Sequence, residues 1–191
     1  IAKSRGRCVD QPWAEFQLGE ATRLSFPDGY FDAVVSTQVY EFVGDITTAL
    51  TEAYRVTRPG GRLLILDTDW DSIVWHTTAR PLMDRVLAAW EEHLVHPHLP
   101  RTLSVKLKHA GFQLQYREVI PLFNPEYDEN TYSYRAIGVI AGFVAGRQGI
   151  SQEEAAGWAE SLHAVGAAGT YFFSLNRYLF LAVKPEGHAA G

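Results

Sequence analysis

Residues 31–66 constrain the fold more than any other part of the chain. Residues 31–36 hold the compact apolar run Ala33-Val34-Val35, which has the length and composition of a buried strand. Asp45 then stands where a helix cap is needed, before apolar positions at Ala49, Leu50, Ala53 and Val56. Pro59-Gly60-Gly61 halts that helix, and residues 62–66 supply another apolar strand. Strand, helix of about a dozen residues, glycine stop, strand is the pattern of a βαβ unit, so a parallel pair in an open α/β sheet is predicted.

The same reading extends in both directions. Residues 14–18 alternate apolar and polar side chains and are expected to form a strand, and Phe26-Pro27-Asp28-Gly29-Tyr30 is a turn. Pro81 opens a helix through Leu82, Val86, Leu87 and Trp90. A helix over 103–110 ends at Gly111, and 112–120 follows as a strand. Residues 124–169 carry two helical segments, the second opened by the capping box Ser151-Gln152-Glu153-Glu154. Residues 171–183 return to strand composition. Gly138, Gly142 and Gly146, spaced by four, predict close helix packing. No linker divides the 191 residues, so one domain is expected over 1–191, with 124–170 as a helical lid between the last two strands.

Composition narrows the partners. A net charge of -5 leaves no basic face for a nucleic acid. The single cysteine, Cys8, excludes an internal disulfide and cysteine-pair metal sites. No apolar run reaches membrane-spanning length, which points to a cytoplasmic protein acting on a small molecule.

Four motifs stand in register over about 45 residues: Gly19-Glu20-Ala21, Leu24-Ser25-Phe26-Pro27-Asp28, Phe31-Asp32-Ala33-Val34, and Arg55-Val56-Thr57-Arg58-Pro59-Gly60-Gly61-Arg62-Leu63-Leu64-Ile65. In this order they resemble class I S-adenosylmethionine-dependent methyltransferases, especially the ubiquinone and menaquinone biosynthesis branch. The resemblance implies a Rossmann-like α/β fold, mostly parallel, with an antiparallel last strand. It makes 14–18 the third strand, 31–36 the fourth and 62–66 the fifth. The family's glycine-rich loop and the acidic residue after its second strand have no match here; Ile1 to Arg7 reads as mid-helix, so the chain is expected to begin inside a domain with the first strands upstream.

By the same resemblance S-adenosyl-L-methionine is the cofactor. Glu20 takes the position that accepts from the adenine amino group, Ala21 offers its backbone N–H, and Ser36, Thr37 and Gln38 border the methionine end. Asp67 to His76 is expected as a loop lining the cleft mouth. Within it His76 is the candidate general base, because imidazole titrates near neutrality. Trp70, Trp75, Tyr132 and Phe172 are the candidate substrate-binding residues, aromatic surfaces for a planar or apolar acceptor and for a sulfonium. No metal site is expected from Asp67, Asp69 and Asp71. The competing readings are a nicotinamide-dependent oxidoreductase and a non-catalytic remnant that dimerises or binds a partner.

Overall fold

The predicted βαβ unit is present. In the computed structural model, which describes residues 2–186, β1 (Phe31–Thr37) runs parallel to β2 (Thr57–Trp75), with α2 (Ile46–Val56) as the crossover. Asp45 accepts from the Thr48 N–H at 3.0 Å, and Ile46, Ala49, Leu50, Ala53 and Val56 form the buried stripe. The helix ends at Val56, three residues before Pro59, so Pro59-Gly60-Gly61 lies inside the first part of β2 and is not the helix stop. The glycines serve a different need. Gly60 has φ +72°, and a Cβ on Gly61 would come within 2.7 Å of the Thr57 side chain and 2.8 Å of the Arg58 carbonyl.

The sheet has four strands in the order β1-β2-β4-β3, where β3 is Gln113–Asn124 and β4 is Phe173–Val183. β2 and β4 are antiparallel, as are β4 and β3, so among the described residues only β1 and β2 form a parallel pair. β1, β2 and β3 thus run in one direction and β4, the last of the four, runs against them, which matches the expected mostly parallel sheet with an antiparallel last strand. Residues 14–18 form no strand. A strand needs a ladder, and no described segment pairs with them. α1 (Ala2–Arg7) is helical as expected from 1–7; Ile1 lies outside the described residues.

Side-chain alternation along β4 divides the interior. Phe180 and Ala182 join Leu63 and Ile65 of β2 against α2 and α4 (Pro100–His109); Phe173 and Leu175 join Trp75 against α3 (Arg80–Trp90), α5 (Tyr132–Val144) and α6 (Gln152–Ala167). One strand thus contributes to two cores on opposite faces. α5 and α6 connect β3 to β4, and α6 opens on the predicted capping box, Ser151 and Glu154 each accepting the other's backbone N–H. The glycine spacing does not mark close packing: nothing lies within 4 Å of a Cβ built on Gly138 or Gly142 of α5, or on Gly146 just beyond it. Gly166 of α6 is the crowded one, its Cβ position 2.3 Å from the Tyr127 ring.

Asp67 to Trp75 is also not a loop. β2 continues through it, paired with β4 from Asp67↔Tyr178 to Trp75↔Phe173 across a bulge between Asp69 and Val74. The polar sequence conceals a strand whose alternate side chains point into two different environments.

Candidate functional site

The site is built where β1 ends and β2 continues. Thr37 pairs with Leu66, and Gln38 then takes φ +53°, an uncommon backbone for a residue with a side chain. Two hydrogen bonds hold it: its N–H donates to the Leu66 carbonyl at 2.8 Å, and its side-chain amide donates to the Thr68 hydroxyl. The reversal turns the chain into a short 3-10 helix, Tyr40–Phe42, which drives Tyr40 and Glu41 inward. Glu41 is 1% exposed and accepts from the Trp70 indole N–H at 3.2 Å. Asp67 is 0% exposed, and neither carboxylate oxygen has a hydrogen-bond partner.

Burial raises both acids above the usual carboxylate range, and for Asp67 the nearby Glu41 adds to it, reaching about 8. The Val39 N–H faces Asp67 without closing a hydrogen bond and offsets burial only in part. Glu41 is better supplied: the Trp70 indole, the Thr68 backbone N–H and the Arg177 guanidinium all draw it back down. Tyr40, buried beside Asp67, is pushed up to about 12.

Beside Trp70 lies a cavity of about 380 Å3, lined by Trp70, Trp90, Tyr132, Arg135, Val139 and Ile140, among others. Trp70 and Trp90 meet edge to face at 5.6 Å, and His93 stacks on Trp90 at 3.5 Å. Burial lowers the His93 pKa, which keeps the imidazole neutral inside this aromatic group. Arg177 of β4 lies over the Tyr132 ring, 5.2 Å from its centroid.

The predicted site residues are distributed unevenly around this centre. Ser36 is buried at the end of β1 with its hydroxyl unpartnered, Thr37 is exposed, and Gln38 ties β1 to β2. Glu20 is exposed, at a turn closed by the Arg23 N–H to its carbonyl, and Ala21 packs against the α2 core. Trp70 and Tyr132 share the cavity. Trp75 is core: it is 3% exposed, donates to the Tyr171 hydroxyl at 3.0 Å and packs on Trp158 and Phe173. His76 and Phe172 line a separate open groove with Val74 and Arg80. The partners of Leu66 (Leu179) and Trp75 (Phe173) are six positions apart on β4, so His76 lies roughly 20 Å along the sheet beyond Thr37, at about 3.3 Å per residue.

Asp69 and Asp71 are strand residues bound by Arg101, whose guanidinium reaches Asp69 at 2.8 and 3.0 Å and Asp71 at 2.6 Å. His98 lies 3.3 Å from Asp69, close enough to make a triad with Asp69 and Asp71, whose carboxylate oxygens are already engaged by Arg101. Sequence reasoning missed Glu41 and Arg177. The detectable signal was Arg177 itself, a charge inside the apolar run of β4.

Three of the four sequence motifs are tied together by side-chain bonds. Arg55 of α2 donates to the Leu24 carbonyl at 2.9 Å, the Phe26 carbonyl at 2.8 Å and Asp28 at 2.8 Å, while Glu52 accepts from the Leu24 N–H. Arg58 reaches Asp32. The Arg55 to Ile65 motif thus carries the partners of the Leu24 to Asp28 and Phe31 to Val34 motifs.

A methyltransferase domain family matches residues 1–65. The ubiquinone/menaquinone biosynthesis C-methyltransferase UbiE of Methylobacterium nodulans is 30% identical over 155 residues, covering 81% of this chain and 49% of that enzyme. The demethylmenaquinone methyltransferase of Symbiobacterium thermophilum is 30% identical over 149 residues, 72% of this chain and 58% of that enzyme. The chain thus spans about half the length of these two relatives. Among solved structures, YcgJ of Bacillus subtilis superposes with a TM-score of 0.58 at 18% identity over 97% of this chain and 77% of that one. The [4+2]-cyclase SpnF gives 0.54 at 21% identity, over 97% and 62%. The fold is the Rossmann-like one of class I methyltransferases, and the aromatic cavity lies outside the stretch that the domain family matches.

Proposed function

We propose that this chain, a class I methyltransferase-fold chain related in sequence to the ubiquinone/menaquinone methyltransferase branch, serves S-adenosylmethionine-dependent methyl transfer to a small molecule. The observation that carries the reading is the join between strand end and cavity. Gln38 bonds to Thr68 and Glu41 to Trp70, so the carboxyl end of β1, where ligands bind in such sheets, is fixed directly against an aromatic cavity.

The residues fit the cofactor in kind. Glu20 and Ala21 would hold its adenine end, and Ser36, Thr37 and Gln38 its methionine end; the buried, unpartnered Ser36 hydroxyl is a donor that a polar ligand would satisfy. When bound, S-adenosylmethionine supplies an electrophilic methyl group. The chain's own residues orient the acceptor between Trp70 and Tyr132, exclude water with Trp90, Val139 and Ile140, and manage protons through Glu41 and Asp67. Glu41, behind Trp70, is nearer this cavity by connectivity than His76, whose distance along the sheet argues against its serving as the base. Trp75 and Phe172 are left outside the acceptor site. Residues 124–170 act as the cap, since α5 supplies Tyr132, Arg135, Val139 and Ile140 to the cavity. The relatives favour methyl transfer over the oxidoreductase and non-catalytic alternatives. No helix among the described residues is long and apolar enough to cross a membrane, in keeping with a cytoplasmic enzyme on a diffusible acceptor.

The test is calorimetric titration of S-adenosylhomocysteine into this chain and into one extended upstream by about 80 residues, the length of two βα units. Saturable binding, weakened by Ser36→Ala, supports the reading; no binding by either form refutes it.

A further inference from the structure

The cavity beside Trp70 has an asymmetric charge environment. Its lining is mainly apolar, with Asn130 and Thr131 as its neutral polar residues, and the charged residue among those that line it is Arg135, on the first turn of α5. Unlike Arg55, Arg85 and Arg101, Arg135 has no carboxylate partner among the described residues. A second guanidinium, Arg177, backs the Tyr132 wall, and its Nε is buried without an acceptor. The acids nearby are already accounted for: Glu41 accepts from Trp70 behind the wall, Asp67 is sealed from solvent, and Asp128 in the preceding loop is engaged by Asn130. A cationic guest would meet Tyr132 with Arg177 already on its ring. An anionic guest would meet unspent donors.

We infer that this cavity takes a flat apolar molecule bearing one acidic group, its ring between Trp70, Trp90 and Tyr132 and its anion on Arg135, an inference that rests on the reading of the cavity as the acceptor site. Arg is suited to the task because its planar fork of donors matches a carboxylate in two places, and the low polarity of the walls strengthens the pair. The acidic group sets orientation: it anchors one end of the acceptor on α5 and leaves the other end toward Trp70 and the carboxyl end of β1.

The test uses 2-naphthoate and 2-naphthamide, which share shape and differ in charge, titrated at neutral pH into the 191-residue chain with tryptophan fluorescence as readout. Naphthoate is expected to bind about tenfold tighter than the amide. Arg135→Gln should bring the two within about twofold by weakening naphthoate, while Arg135→Lys should keep part of the preference. Arg135 is exposed, so the variants are expected to fold, and circular dichroism and urea unfolding matching the parent verify that they have. Equal affinities in the parent chain overturn the inference, as does absence of saturable binding by both probes or a preference that survives Arg135→Gln. Saturable S-adenosylhomocysteine binding with no naphthoate preference would refute acid recognition alone; loss of both would refute the methyl-transfer reading with it.

Discussion

Replacing Asp67 with Asn should stabilise the protein, by an amount that grows with pH. The Asp67 carboxyl lies in the interior with no hydrogen-bond donor, and its pKa rises from an ordinary 3.8 to about 8. Below the lower value both folded and unfolded chains hold the proton, and the group contributes no pH dependence. Between the two the unfolded chain releases its proton while the folded chain keeps it, so stability falls as pH rises, and above about 8 the penalty is fully present. A gap of about 4 pH units at ~1.4 kcal/mol each sets a ceiling of about 6 kcal/mol. Relaxation and water penetration reduce such penalties, so about 2 to 3 kcal/mol is the working expectation. Urea unfolding at pH 4.5, 6, 7 and 8 checks it. The parent should lose stability across the series, and Asp67→Asn should lose much less, the difference being smallest at pH 4.5 and largest at pH 8. Parallel curves would mean that Asp67 is ionised in the fold and that a donor reaches it.

Other perturbations probe the remaining elements. Ser151→Ala removes half of the capping box of α6 and should cost about 1 kcal/mol in urea unfolding. Gly166→Ala drives a methyl into the Tyr127 ring and should cost roughly 2 kcal/mol, most of it recovered when Tyr127→Ala is added, so a double-mutant cycle with no coupling would refute the contact. Arg55→Ala should leave the Leu24 to Asp28 turn open to limited proteolysis, visible as a new cleavage within it. In the extended chain, Glu20→Ala should weaken S-adenosylhomocysteine binding by about 1.5 to 3 kcal/mol, and unchanged affinity would remove Glu20 from the adenine site.

Local signals carried much of this fold. The Asp45 cap, the Ser151 box and the apolar stripe of α2 are legible because each depends on residues three or four positions apart. The misreadings arose where the partner was distant in sequence. Residues 14–18 alternate like a strand, yet alternation cannot supply a ladder. Asp67 to Asp71 looks like a loop because its polar groups are matched from afar, Asp69 by Arg101 and Trp70 by Glu41. For the same reason Trp70 and Tyr132 were recognisable as cavity aromatics, while Glu41 was not distinguishable from a surface acid. Trp75 belonged to the same apparent loop and turned out to be core through its bond to Tyr171, 96 positions away.

The place of β4 in the sheet governs the order in which the protein can be completed. β3 has β4 as its partner and β2 lies on the other side of the same strand, so the chain's last strand joins segments made long before it. During synthesis β2 and β3 must wait, with apolar side chains uncovered, until residues 173–183 leave the ribosome; contacts of such long range form slowly and expose the intermediate to aggregation. Stalled or prematurely ended translation within those eleven residues would release a chain that cannot close either core, and its solubility in the cell should depend on holdase chaperones far more than that of the finished protein.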